Sequence, residues 1–313
     1  MRKYEVIEVG YAGEKVGFYL MTAKGYFVLK NFLEKYSSEC IEYVVSCRDK
    51  NLAKDFYDEI NALCLENKIK FYDYKTEKHA IETVESKTQI YRFAISWRWM
   101  IKNTTKLIVL HDSVLPRYRG FAPLVNALIN GENEIGVTAI LASEEYDKGD
   151  VVMQKRVNIR YPIKIAEAIE KISFLYSDIV NELYGMVTRG LALTAMKQDE
   201  SLATYSPWLD DYDYFIDWTW DAQKIKRFVD AVGYPYDGAK SYVNGKIIRI
   251  EEVEVEEDVV VEDRERHIGK VLFVRSGCPV VICGRGLVKV TDMKDLNGNR
   301  ITLPFRSRFT SKK

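Results

Sequence analysis

The stretch HDSVLPRYRGFAP (111–123) holds one of the three histidines of the chain and follows the apolar run LIVL. A second polar cluster, EEYDKGD (144–150), follows another apolar run, GVTAILAS (136–143). An imidazole and a carboxylate placed at the ends of buried strands are suited to proton transfer, which contributes roughly 10²–10⁴ in rate. His111 and Asp147 are therefore the candidate catalytic pair. The same residues also fit a histidine hydrogen-bonded at a strand terminus with no chemistry. Other motifs point elsewhere or nowhere. The glycines of GYAGEKVGF (10–18) do not form GxGxxG, and there is no GxxxxGK[ST], HExxH or GxSxG. Ser113 cannot form a triad with His111, because neighbouring side chains of an extended segment diverge. DLNGN (295–299) lacks the closing Glu of a calcium loop and reads as a hairpin turn. No metal site is expected.

The elements that must carry these clusters alternate. VGFYLMT (16–22), IEYVVSC (41–47), KIKFYDY (68–74), QIYRFAISW (89–97) and KLIVL (106–110) read as strands. A helix over 24–35 follows the first, and Asp49 is placed to cap a second that presents Leu52, Phe56, Ile60 and Leu63. Pro123 opens a helix that Gly131 ends. VVMQKRVNI (151–159) is one more strand. Ile165, Ile169, Ile172, Leu175, Ile179, Leu183 and Met186 then form a long apolar helical stripe. This alternation predicts an α/β fold: a doubly wound, mainly parallel, Rossmann-like sheet with helices on both faces. Ligands of such sheets bind beyond the carboxyl ends of the strands. After residue 203 the pattern changes. An aromatic, acidic segment (204–220) and one helix lead into short strands with hairpin signals at Asn244-Gly245 and Asn297-Gly298. Residues 1–203 are thus expected to form a catalytic domain, and 204–313 a linker with a small β-rich, barrel-like domain.

Composition narrows the partners. Lys plus Arg equals Asp plus Glu at 46 each, which speaks against a surface built for nucleic acid. No apolar run approaches the ~18 residues of a membrane span, and the N-terminus lacks the apolar core of a signal peptide. Five cysteines without a CxxC fit free thiols of a reducing cytoplasm, with Cys278 and Cys283 serving packing.

The two clusters resemble the signature of the 10-formyltetrahydrofolate-dependent formyltransferases, roughly Asn-x-His-x-Ser-Leu-Leu-Pro-x-x-Arg-Gly-x-x-Pro, then Gly-x-Thr and Asp-x-Gly-Asp. His111, Ser113, Leu115, Pro116, Arg119, Gly120 and Pro123 match, as do Gly136, Thr138, Asp147, Gly149 and Asp150. Residues 215–250 resemble the family's passage into its small C-terminal domain. The likeness is weakest before about residue 90 and after about 255. The resemblance implies transfer of a formyl group from 10-formyltetrahydrofolate to a primary amine. It assigns His111 to the developing oxyanion and Asp147 to proton management. It places the pterin against Ala142, Ser143, Glu144, Glu145 and Tyr146, with Ile95, Trp97 and Met100 as walls. Trp97 and Trp99 also fit simple packing. One position departs: the family's asparagine, two residues before the histidine, is Val109 here. Loss of one oxyanion donor typically costs ~10²–10³ in kcat. An active variant site is expected, and an inactive folate- or sugar-binding relative is the non-enzyme alternative.

The amine is expected on a small UDP- or dTDP-linked amino sugar of surface-glycan synthesis. Residues 205–313 hold 18 basic and 18 acidic residues, and EEVEVEEDVVVED (251–263) is acidic where a tRNA stem would need cations. That run also fits a solvated hairpin face, so methionyl-tRNA remains the alternative acceptor, and a folate-ester hydrolase is a further rival. Substrate contacts are expected from Tyr11, Ser113, Arg119, Gly120 and Tyr205, with Trp208, Tyr212 and Tyr234 as further stacking candidates. Arg119 equally fits a strand-end ion pair, and Gly120 a turn. The resemblance is compatible with a homodimer.

Overall fold

The computed structural model describes residues 14–50, 52, 54–87 and 89–311. The apolar runs become β1 (Val16–Leu20), β2 (Ile41–Ser46), β3 (Phe71–Asp73), β4 (Tyr91–Ile95) and β5 (Leu107–His111). Between them lie α1 (Thr22–Lys35), α2 (Tyr57–Glu66) and α3 (Lys78–Lys87). β6 (Arg119–Gly120), α4 (Pro123–Asn130), β7 (Glu134–Leu141), β8 (Val151–Asn158) and α5 (Ile165–Thr188) follow. The seven-stranded sheet has the order β3-β2-β1-β4-β5-β7-β8. Its first five strands are parallel, and the chain reverses its order between β1 and β4, which is where such sheets open a ligand crevice.

α1 and α5 cover one face over Phe18, Leu20, Phe93 and Leu110; α3 covers the other, over Tyr19, Tyr43, Val45 and Leu107. β7 runs antiparallel to both β5 and β8, within what a mainly parallel sheet and the short 144–150 loop allow. One detail differs from the sequence reading. Asp49 does not cap α2; Phe56 precedes that helix in a left-handed conformation, and Asp49 pairs with Arg98 at 2.7 Å. α3, largely polar apart from Ile81 and Val84, gave no apolar run to recognise.

Residues 205–311 add β9 (Tyr205–Ser206), α6 (Ala222–Val232), β10 (Ala239–Val243), β11 (Lys246–Glu256), α7 (Arg264–His267), β12 (Val271–Arg275), β13 (Cys278–Ile282), β14 (Leu287–Lys294) and β15 (Phe309–Thr310). Their antiparallel sheet has the order β12-β13-β14-β11-β10-β15. Its two edges meet: Lys270 bridges Arg308, and the Phe309 N–H donates to the Gly269 carbonyl at 2.7 Å. The sheet therefore closes on itself as the hairpin signals suggested. Gly269 has φ +80, and a Cβ there would stand 2.0 Å from the Phe309 carbonyl, so only glycine permits the closure. Asn244 and Gly245, both at positive φ, form the β10–β11 turn. Cys64 and Cys283 are buried, which pushes both thiols up to about 12 and leaves them inert.

Candidate active site

Along β5, Ile108 and Leu110 enter the core, so Val109 and His111 share the opposite side and face a cavity of about 770 Å³. The cavity lies at the carboxyl ends of β1, β4 and β5. Its remaining walls come from the start of α1, Leu52, Lys54 and Phe56, residues 120–122 with the first turn of α4, Tyr146 and Asp147, α5 and the 208–236 segment.

The antiparallel β7 would carry Asp147 away from His111. The loop after it turns back instead, and places Asp147 Oδ1 3.4 Å from His111 Nδ1. Asp147 takes φ +56 to do so, and its Oδ2 accepts the Gly120 N–H at 2.7 Å. Gly120, at φ +98, has no room for a side chain, since a Cβ would meet the Ser206 carbonyl at 2.7 Å. His111 Nε2 lies 2.7 Å from the Tyr118 carbonyl. Both ring nitrogens thus face oxygen acceptors, and the Asp147 contact is the looser of the two. Among the described residues, eleven non-glycine residues have positive φ, and five of them, Thr22, Phe56, Ser96, Ala122 and Asp147, line this cavity. Strain concentrated in this way marks a site whose geometry the surrounding fold enforces.

A second, saturated cluster sits beside the pair. The Asp112 carboxylate is held by Lys24 of α1 and by the hydroxyl of Tyr176 of α5. Burial alone would push Asp112 up, but the Lys24 charge and these hydrogen bonds outweigh it and hold the carboxyl below its usual range. Tyr176 is pushed well above the ordinary phenol value, by burial first and the Asp112 charge second. It stays a donor.

The predicted residues divide by what they touch. Trp97, Met100, Ala142, Ser143, Glu145 and Tyr146 line an adjoining slot of about 80 Å³ beneath Val109, and Trp97 and Tyr146 border the main cavity as well. Ile95 instead points into the core, and Glu144 is exposed outside both spaces. Ser113 is buried and donates to the Arg117 carbonyl at 2.7 Å, so it shapes the turn rather than meeting a ligand. Arg119 is wholly buried and spent on Gln198 and Glu200, as the ion-pair reading allowed. Gln198 in turn donates to the Asp147 carbonyl at 2.7 Å, so Arg119 acts on the pair from behind. Tyr205 accepts from Arg119 and lies outside the cavity, as does Tyr212, whereas Trp208 and Tyr234 line it. Tyr11 lies outside the described residues.

Sequence reasoning missed Lys24, Asp112, Tyr176, Gln198 and Ser96. Asp112 was visible as the residue after His111, but its partners are 88 and 64 positions away. Among the described residues, no group of three or more His, Cys, Asp or Glu could hold a metal, and no helix is long and apolar enough to cross a membrane.

Comparison with known proteins accords with this geometry. Residues 95–174 match the formyl transferase family model, and residues 209–305 the model of the formyl transferase C-terminal domain. Methionyl-tRNA formyltransferase of Geobacter metallireducens is 31% identical over 188 residues, 60% of this chain and 58% of that one. The Carboxydothermus hydrogenoformans protein of the same name is 35% identical over 62% of this chain and 61% of its own. The chain thus matches about three-fifths of the length of these curated relatives. The N-formyltransferase of Helicobacter canadensis, solved with folinic acid and dTDP-3-aminofucose, superposes with a TM-score of 0.68 at 14% identity, over 92% of this chain and all of that one. HypX of Aquifex aeolicus with tetrahydrofolic acid gives 0.60 at 20% identity, over 93% of this chain and 46% of its own. A fold shared over nearly the whole chain joins two family matches that bracket the His111–Asp147 cavity and the closed sheet: the chain belongs to the formyl transferase family.

Proposed function

We propose that this chain transfers a formyl group from 10-formyltetrahydrofolate to the primary amine of a nucleotide-linked amino sugar. The observation that carries the reading is the loose His111–Asp147 contact at the end of β5, open to a cavity of about 770 Å³. The neutral amine nitrogen attacks the formyl carbon, and the carbonyl π pair moves onto oxygen. The amine proton passes to the His111–Asp147 pair. Collapse of the tetrahedral intermediate reforms the carbonyl and breaks the bond to N10, which takes a proton from the same pair. The products are a formamide and tetrahydrofolate. The pterin belongs in the slot beneath Val109, between the Ala142–Tyr146 loop and Trp97. That slot is narrow, so entry requires Tyr146 or Met100, both exposed, to swing aside.

The acceptor assignment rests on the mouth of the cavity. Tyr26, Phe56, Trp208 and Tyr234 offer flat faces for a base or sugar ring, and Lys54 and Arg98, paired with Glu59 and Asp49 in this structure, stand among them as cations that a bound diphosphate would draw from those carboxylates. The Helicobacter neighbour, solved with a dTDP-amino sugar, supports the same class. The acidic run 251–263 no longer argues strongly either way: Glu251, Glu252, Glu254, Glu256 and Asp258 all pair with Lys or Arg side chains. The curated relatives named for methionyl-tRNA favour tRNA as the second reading. Incubation with 10-formyltetrahydrofolate and a panel of UDP- and dTDP-amino sugars or Met-tRNA, followed by tetrahydrofolate release, separates the two. Product with a nucleotide amino sugar is expected; product with Met-tRNA alone overturns the sugar assignment. The reading places the chain in the cytoplasm, with 1–203 as its catalytic unit and 204–313 as the second. Light scattering of the purified chain tests a homodimer.

A further inference from the structure

The reaction proposed above needs a hydrogen-bond donor at the formyl oxygen, where negative charge develops. The obvious donors are engaged or absent. Val109 offers none. His111 keeps Nε2 on the Tyr118 carbonyl, and its loose Nδ1 contact with Asp147 is committed to moving the amine proton. Lys24 is spent on Asp112, Arg98 on Asp49 and Lys54 on Glu59.

Among the described residues, two consecutive residues of the cavity wall, Ser96 and Trp97, each carry a buried side-chain donor, Oγ and Nε1, with no partner in the protein, so either reaches a ligand only by turning. A buried donor left unpaired costs about 1–3 kcal/mol, so a native fold keeps one where a ligand completes it. Ser96 directly follows Ile95, whose register partner on β5 is Leu110, so it stands beside His111. It also holds φ +54, a left-handed conformation unusual for serine, at the point where β4 enters the crevice. The Trp97 indole is packed edge-on between Tyr19 and Tyr74, with ring centroids 5.0 Å from each, so turning it would break both contacts. The Ser96 hydroxyl moves on a single rotor with three staggered wells.

We propose that Ser96, through its hydroxyl, donates the hydrogen bond to the formyl oxygen that Val109 cannot supply. The hydroxyl keeps its proton throughout. It stabilises the charge on oxygen while the C–N bond to the amine forms and the C–N10 bond breaks. This inference rests on the formyl-transfer reading and deepens it.

The test replaces Ser96 in the full chain by Ala and, separately, by Gly. Glycine removes the hydroxyl but relieves the left-handed backbone, so it separates chemistry from strain and guards against a folding defect. Both variants are expected to lose ~10²–10³-fold in kcat with folate binding retained. Adding Val109→Asn to Ser96→Ala is expected to restore much of the rate, which a merely structural role for Ser96 would not produce. A near-normal rate in Ser96→Gly overturns the proposal. So does a normal Ser96→Gly rate beside a collapsed Trp97→Phe rate, which moves the donor to the indole. A second readout does not require turnover: the infrared carbonyl stretch of bound 10-formyltetrahydrofolate, labelled with ¹³C at the formyl carbon, is expected to rise in Ser96→Gly. Wild type that binds the folate but formylates no amine overturns the functional reading, and the stretch still decides the Ser96 contact. Wild type that does not bind it overturns both.

Discussion

Two carboxylates flank His111, one beside it in sequence and one beside it in space, and the fold treats them differently. Asp112 is clamped by an ammonium and a phenol from two helices, and its charge is balanced within the protein. Asp147 has one backbone N–H and a 3.4 Å approach to the imidazole, on a strained loop turned back against the direction of its strand. A saturated buried pair holds architecture, because any movement leaves a charge uncompensated. A loosely held pair at a cavity wall retains the freedom to exchange protons with a ligand. The contrast separates chemistry from scaffold between two neighbouring residues, His111 at the end of β5 and Asp112 at its exit.

The sharpest way to break the contrast is at the imidazole. His111→Ala is expected to lower kcat by roughly 10²–10⁴ with no change in folding cooperativity. Asp147→Asn, which keeps shape and removes the charge, should fall in the lower part of that range. Steady-state kinetics beside thermal unfolding checks both. A His111→Ala variant that turns over near the normal rate reduces the pair to a strand-end hydrogen bond.

Asp112→Asn should show the opposite signature. It strands the Lys24 ammonium, so unfolding free energy is expected to drop by about 3–5 kcal/mol. The rate measured well below the melting temperature should stay within about tenfold, a 1.4 kcal/mol effect. Combining it with Lys24→Met should recover most of the loss in a double-mutant cycle. A smaller consequence concerns pH. A carboxyl whose folded value lies below its unfolded one, about 3.9, contributes stability that is fully present above the unfolded value and is lost as pH falls through the folded one. Acid unfolding of the wild type should therefore include an Asp112 component below about pH 4, and Asp112→Asn should lack it. Urea titrations across pH 2–6 read the difference.

The strands that carry the site were legible because five apolar runs of strand length leave little choice, and because LIVLH ends on the residue types proton transfer needs. The loop motifs added Asp147, Gly120 and Gly149 at the right spacing. What stayed hidden shares one cause: it depends on chain direction or on distant partners. The short 144–150 loop implies that β7 and β8 oppose each other, but nothing in GVTAILAS says that β7 also opposes β5, so the path by which Asp147 returns to His111 stayed hidden. Ile95, assigned to a pterin wall, alternates inward instead. Lys24 and Tyr176 look like ordinary helix residues until the fold stacks them on Asp112. Ser96 is an unremarkable serine in sequence; its backbone and its solitary hydroxyl single it out only in three dimensions. The aromatic stretch 204–220 reads in sequence only as a linker into the second domain, yet parts of it, Trp208, Leu209 and Tyr214, close one wall of the cavity.

The smallest expected effect probes the boundary between the two classes. Arg119 carries the family motif yet touches no cavity. It grips Gln198, whose amide holds the carbonyls of Asp147 and Gly149 at 2.7 and 2.8 Å. If the loop conformation of Asp147 matters, this support should register in the rate although it contacts no ligand. Gln198→Ala removes two bonds of about 0.5–1.5 kcal/mol each, partly replaced by water, and is expected to lower kcat about tenfold with KM nearly unchanged. Gln198→Glu keeps the acceptor for Arg119 but loses the amide donor, and should reproduce the deficit. Glu200→Gln, at the exposed end of the same knot, should leave kcat and melting temperature close to wild type, because its side chain is 64% exposed and glutamine still accepts from the guanidinium. Equal rate losses in the Gln198 and Glu200 variants would make the knot a general stabiliser. Loss confined to Gln198 would show that the strained Asp147 loop is held in register from behind.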